Sequence, residues 1–290
     1  MTIITSTTIA PSRLTSQSCT VTKTMFFTGL DARLAARTNK HTKSTSGLAP
    51  HHIQAKLMVL PSRYASDFRE LCARDPVPYP LLAESSSPGD FANLKSHLPA
   101  VNGDRVAAHL DLRFDCPPSL QHLHRLQTCG RDYSFESALS VASLPPRHSV
   151  MACNVPMYRT NIPLNPAGLF TAGTYVVSMR PYKKCDIPKI RAITRRYLPT
   201  HGECLAWGWD PLERLGIKDI NSPQLGDAPL TLDGRPLSEV AGDDDDVPVF
   251  WGYGVTPQEA VMRAGLEGTI MAHDPGCMLV LDCLGNDILV

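Results

Sequence analysis

A mixed α/β fold is predicted from three observations. Segments with apolar residues at helical spacing alternate along the chain with short β-branched or continuously apolar runs. Stretches rich in Pro and Gly separate them. The length, 290 residues, lets the chain bury roughly three quarters of its surface, in one large or two modest domains. No internal repeat is visible.

The elements are read in order. Half of residues 1–24 are Ser or Thr, with Arg13 and Lys23 as their only charges. Residues 1–30 are read as a disordered leader or as a mitochondrial presequence poor in Arg. Segment 31–38 has helical spacing, with Leu30, Leu34 and Ala35 on one face. Segment 53–60 reads as a buried strand that Pro61 ends, and Ser62 is placed to cap the next helix. In that helix, 64–74, residues Tyr64, Phe68, Leu71 and Cys72 share a face. Residues 82–104 carry Ser, Gly and Pro and are expected to be loop, and 106–114 to be extended.

The second half continues the alternation. A helix is expected over 134–144 with Leu139 and Ala142 inward, a strand over 175–179, and a helix over 186–197 carrying Ile187, Ile190 and Ile193. Residues 203–209 suit a strand and 223–236 a loop. A buried strand is expected at 248–252. The next helix, 257–264, has Thr256 as its cap and Pro257 at its first position, where the missing N–H costs nothing. Apolar strands are expected at 268–271 and 278–282. The acidic run 243–246 is read as a solvated turn.

Composition narrows the partners. Formal net charge is zero, so there is no electrostatic case for nucleic acid or an anionic membrane. The apolar runs fall short of the ~20 residues a membrane span needs. Nine Cys, an odd number without a CxxC pair, argue against a disulfide framework or a structural zinc site. Reduced thiols inside the cell, in the cytoplasm or the mitochondrial matrix, fit better. No cofactor, metal or P-loop nucleotide site is called for. The expected partner is a small acid, with a homo-oligomer left open.

Three strings carry the chemistry. Residues 154–163 read NVPMYRTNIP, a polar cluster of Tyr158, Arg159, Thr160 and Asn161 between two prolines, read as a stiffened loop. Residues 247–258 read VPVFWGYGVTPQ and residues 272–282 read AHDPGCMLVLD. Arg forks grip carboxylates through paired hydrogen bonds. Arg159 and Arg180 are therefore candidate carboxylate anchors, or else members of internal ion pairs. Asn154, Thr160 and Asn161 could hold a developing oxyanion or close local turns. His273, at a strand end, suits proton transfer or a turn bond. The helix start from Gly254 through Thr256 offers backbone N–H groups to an anion, in competition with ordinary capping. His201 is a lesser candidate.

These strings, with VVSMRP at 176–181 and QAKLMVLP at 54–61, resemble the hydro-lyase family that includes D-glutamate cyclase. The agreement runs in the family's order from about residue 31 to 282. The resemblance implies a three-layer αβα domain, 31–152 plus 246–290, with a smaller two-layer α/β domain, 153–245, inserted in the middle. It implies a hydro-lyase acting on a small amino or carboxylic acid, D-glutamate closing to 5-oxo-D-proline being the named example. The alternatives are an impaired member that only binds an acid, or an enzyme for another acid.

Two departures stand out. The stretch before the family's GCSFSFE motif is shortened by roughly fifteen to twenty residues, enough to remove an element. The motif itself aligns with residues 130–136, where Arg131 and Asp132 replace its Cys and first Ser. Ser134 and Glu136 are retained and are candidate catalytic residues, Glu136 as general base if burial raises its pKa. Where the family has a second His, this chain has Cys277. The family reaction needs an anchored α-carboxylate (Arg159 or Arg180), a base (Glu136 or His273) and an oxyanion site (Asn161 and the amides of 254–256).

Overall fold

The computed structural model describes residues 2–3, 26–43, 45, 48–90, 92–98, 101–102, 106, 124–129, 133–273 and 277–289. Most of the 1–30 leader, most of the 106–114 segment, and Arg131 and Asp132 lie outside these residues, as do 274–276.

The fold is mixed α/β, with two sheets whose ladders all run antiparallel among the described residues. The larger has seven strands: β1 (Thr2–Ile3), β2 (His52–Pro61), β3 (Leu81–Ser85), β4 (Leu94–Ser96), β5 (His124–Cys129), β10 (Met271–Ala272) and β11 (Leu279–Leu284). Nine of the ten residues of β2 are buried, as a strand covered on both faces must be. On one side β2 pairs with β5; on the other, β10 and β11 lie end to end along it. The C-terminal strands therefore return to the start of the fold. The shortened stretch still supplies β5, which pairs with both β2 and β3.

The smaller sheet holds β6 (Met157–Pro163), β7 (Thr174–Tyr182), β8 (Ala206–Trp207) and β9 (Val247–Gly252), in the spatial order β6-β7-β9-β8. Helices α3 (Tyr133–Val141) and α5 (Ile187–Thr194) cover one face, closing a core of Phe135, Leu139, Ile187, Ile190, Val249 and Trp251. On the other face Tyr158, Met179 and Phe250 meet Ile217, Ile220 and Leu237. Helix α7 (Thr256–Arg263) follows β9 and joins α2 (Ala65–Arg74) in a core that links the two sheets through Met58, Phe68, Leu164, Phe170 and Val261.

Several expectations change in physically instructive ways. The segment 154–163 is not a loop: its core is β6, an edge strand, and Pro163 sits at the strand's end where no ladder bond is lost. Residues 82–104 are not all loop. They hold most of β3 and all of β4, masked in sequence because Glu84 points inward to Arg69 (2.8 Å) and His97 (3.1 Å).

Helix α1 (Gly29–Arg37) leaves Leu34 exposed and turns Arg33 inward, because Arg33 grips Asp282 of β11 at 2.7 Å and 3.1 Å. Ser62 does not cap α2. It opens a 3-10 turn, Ser62–Tyr64, that leads into the helix. Thr256 is the first residue of α7 rather than its cap, which moves Pro257 to the second position. Strand β9, expected as a buried strand, pairs with β7 along six residue pairs. The acidic residues Asp243, Asp244 and Asp245 are exposed. No helix among the described residues is long and apolar enough to cross a membrane.

Candidate active site

The candidate residues fall into three groups. The first surrounds the start of α3. Phe135 stacks on Trp251 of β9 at 5.5 Å and 25°, which seats the helix on the smaller sheet. The next residue, Glu136, is thereby buried in the first turn, where the helix dipole favours a carboxylate. Its Oε1 accepts hydrogen bonds from Arg180 Nε at 2.9 Å and Nη2 at 2.5 Å. Arg180 is 1 % exposed, donates a further bond to Ser178 Oγ at 2.9 Å, and lies 5.2 Å from the ring centroids of both Phe135 and Trp251. His148 Nε2 is 3.5 Å from the same carboxylate oxygen.

Burial alone would raise the Glu136 carboxyl. The Arg180 charge, with hydrogen bonds from His148 and Arg180, outweighs it and holds the group below the ordinary glutamate range. The condition for Glu136 as a free general base, a raised pKa, is therefore not met. The Ser134 backbone lies in α3 just before it.

Beside this group, reached through His148, runs a small, partly open cleft. Met179 and Pro181, which flank Arg180 on β7, form part of its wall, and Arg147, His148, Cys153 and Asn154 supply its polar groups. Arg147 and His148 belong to α4 (Arg147–Val150), which starts directly after Pro146. Arg147 Nη2 is fixed by Asp246 at 2.5 Å, while its buried Nε has no hydrogen-bond partner.

The second group lies on and around β6. Alternation puts Tyr158 and Thr160 inside and Arg159 and Asn161 outside. Tyr158 donates to the Ile220 carbonyl, and burial pushes its pKa up. Thr160 donates to Tyr175 O at 2.9 Å. Both hydroxyls are thus bonded to backbone carbonyls. Arg159 is 43 % exposed through its side chain and pairs with Glu259 of α7 at 2.6 Å, which raises its already high pKa. Asn161 lies beside Gly216, whose αL backbone (φ 75°) ends α6 (Pro211–Leu215). Asn154 donates through its backbone N–H (2.7 Å) and Nδ2 (3.0 Å) to Asp227.

The third group is the start of α7. Thr256 Oγ1 donates to Tyr253 O (2.7 Å) and accepts from Val176 N (3.0 Å), locking the helix to β7. Gly254 is buried just ahead of it. His273 follows β10, its backbone N–H reaching Leu57 O (3.4 Å) in the gap between β10 and β11, and its Nε2 lies 3.3 Å from Gln258 Nε2. Lys56, buried in β2, lies 5.6 Å from the Tyr253 ring centroid, and His201 stacks on that ring at 6.5 Å.

The fold thus unites Glu136 with Arg180, and brings Asn154 to the cleft beside them. It ties Arg159 to the first turn of α7, and sets His273 against Gln258 of the same helix. Arg147, His148, Lys56 and Gln258 were missed by sequence reading. For Arg147 and His148 the available signal was position: a basic pair after two prolines, shortly before NVPMYRTNIP.

Comparison with known proteins agrees with the resemblance read from the sequence. Residues 127–282 match the family profile described as D-glutamate cyclase. A candidate hydro-lyase of Schizosaccharomyces pombe is 37 % identical over 273 residues, covering 89 % of this chain and 85 % of its own. One from Bordetella petrii is 40 % identical over 281 residues, covering 91 % and 97 %. One from Azorhizobium caulinodans is 37 % identical over 273 residues, covering 88 % and 91 %.

Proposed function

The chain belongs to the D-glutamate cyclase family of hydro-lyases, and on that premise we propose that it interconverts D-glutamate and 5-oxo-D-proline at the cleft between α4 and β7. In the forward direction the amine nitrogen bonds to the side-chain carboxyl carbon. Two ammonium protons and one carboxylate oxygen leave together as water.

One observation carries the choice of site. A buried carboxylate, Glu136, is kept ionised by Arg180 and meets His148, which lines a cleft together with Arg147 and Asn154. Ionised groups held out of water act on bound charge far more strongly than surface ones. In this reading Arg180 anchors Glu136 rather than substrate. Arg147 takes the α-carboxylate, and the second N–H of Asn154 Nδ2 faces the oxyanion. Arg159, on the exposed edge, contributes only long-range attraction for an acid.

The start of α7 supports a second reading. Lys56 is 6 % exposed beside Tyr253, and His273 sits against Gln258. A base at His273 with the Gly254 and Val255 amides as oxyanion site would use that helix start instead, the Thr256 amide being bonded to Tyr253 O at 3.0 Å.

The wider architecture fits the family's three-layer domain with a two-layer insert. All strands of the smaller sheet come from 157–252, whereas the larger sheet takes its strands from before and after that span. The thiols of Cys153, Cys185 and Cys204 form no disulfide among the described residues, which suits a reducing compartment, cytoplasm or mitochondrial matrix.

Chiral mass spectrometry of the purified chain with each of the two compounds tests the reaction. Enzyme-dependent interconversion is expected. Binding of either acid without turnover would point to an impaired member, and turnover of a different acid to another specificity.

A further inference from the structure

We propose that His148 is the group that takes the proton from the substrate amine, and that the amine docks against its Nδ1 in the cleft. This assignment deepens the reaction proposed above and rests on it.

The ring is buried, 9 % exposed, on a short helix held by Arg147 to Asp246. Its Nε2 lies 3.5 Å from Glu136 Oε1 and 3.3 Å from Ser149 Oγ. Its Nδ1 is buried and makes no hydrogen bond. An ionised carboxylate only accepts, so the neutral ring carries its hydrogen on Nε2 and keeps a lone pair on Nδ1. Arg180 secures this by holding Glu136 as the anion with two hydrogen bonds.

A buried lone pair with no donor is unusual in a folded protein. Here it accompanies a second orphan in the same cleft wall, the donor Arg147 Nε. One acceptor and one donor stand among Met179, Pro181 and Leu230. That pattern matches a five-membered lactam acid. The lactam N–H meets His148 Nδ1, the carboxylate meets Arg147, and the ring methylenes lie on the apolar wall.

The proton bookkeeping closes. The ammonium gives one proton to Nδ1, and the freed electron pair on nitrogen bonds to the side-chain carboxyl carbon. The nitrogen of the tetrahedral adduct then loses a second proton. Both protons end on one former carboxylate oxygen, which departs as water when its C–O bond breaks. While the ring is an imidazolium, Glu136 stabilises it, so Glu136 is a positioning residue.

The test uses the full chain and two readouts. Long-range 1H–15N spectra, with the His148 signals identified by their loss in His148→Gln, report the tautomer without any turnover. The expected state is protonated Nε2 with bare Nδ1, mixed in Glu136→Gln and retained in Glu136→Asp. A ring protonated on Nδ1 overturns the proposal. So does a tautomer indifferent to Glu136→Gln.

Kinetics supply the second readout. His148→Gln, checked for a cooperative melt, is expected to lower kcat for D-glutamate about 100-fold or more with KM within about 3-fold. Unchanged kcat overturns the assignment while leaving the reaction standing. If the wild-type chain turns over neither compound, the reaction reading fails. The cleft then stands or falls on whether 5-oxo-D-proline shifts the Nδ1 resonance.

Discussion

Arg180 and Arg159 sit on neighbouring strands of one sheet, each paired with a glutamate, yet their surroundings are opposite. Arg180 is buried to 1 % exposure against two stacked aromatic rings, and its partner Glu136 to 6 %. Arg159 stands on the outer face of an edge strand with a 43 % exposed side chain. In sequence the two look alike: an Arg in or beside an extended run that meets a proline. The difference teaches that a carboxylate-gripping motif can be spent on the protein's own acid. Exclusion of water strengthens such a pair and directs the hydrogen bonds of neighbouring polar groups such as His148.

The strongest way to break the contrast is to remove one buried partner. Arg180→Met leaves Glu136 ionisable and enclosed, with an expected stability loss of about 3–5 kcal/mol. The shift in denaturant midpoint at constant slope would measure it. Adding Glu136→Leu to that variant should recover much of the loss, because the stranded charge is gone. No recovery would mean that packing, not charge, fixes the site.

Acid is the next lever. Glu136 and Glu84 both titrate below their ordinary range in the folded chain. A depressed carboxyl contributes stability that is fully present above its unfolded pKa and is lost as pH falls through the folded one. For Glu84, brought down to about 2 from the ordinary 4.5, the window is pH 4.5 to 2. The loss is on the order of 3 kcal/mol by linkage. Unfolding midpoints across that range should fall in the wild type and flatten in Glu84→Gln.

The edge pair should respond weakly. Arg159→Ala is expected to cost about 0.2–1 kcal/mol, fading with added salt as an exposed pair must. A loss of several kcal/mol would erase the distinction between the two arginines. Smaller still is a labelling effect. Cys153 lines the cleft and is half-buried, whereas Cys185 is exposed far along the chain. Bound 5-oxo-D-proline should slow alkylation of Cys153 and leave Cys185 unaffected, which peptide mass spectrometry can follow.

Much of this molecule is legible without coordinates. Strand β2, the face of α2, strands β7 and β9 and the start of α7 follow from periodicity, prolines and β-branched runs, because local pattern and tertiary burial agree there. Reading fails where a charge faces inward. Glu84 hides β3, and Arg33 rotates the buried stripe of α1 away from Leu34. The site was half legible. Glu136 and Arg180 are both visible as chemistry-bearing residues, but they lie 44 positions apart and no local signal pairs them. His148 sits in a four-residue helix, too short to show any period.

The most direct measurement is kcat for D-glutamate cyclisation in Glu136→Gln and in Glu259→Gln, each with its thermal melt. Loss of turnover in the first and near wild-type turnover in the second, with both chains cooperatively folded, is the expected result. Full activity in Glu136→Gln would contradict the assignment of the chemistry to the buried pair and its cleft.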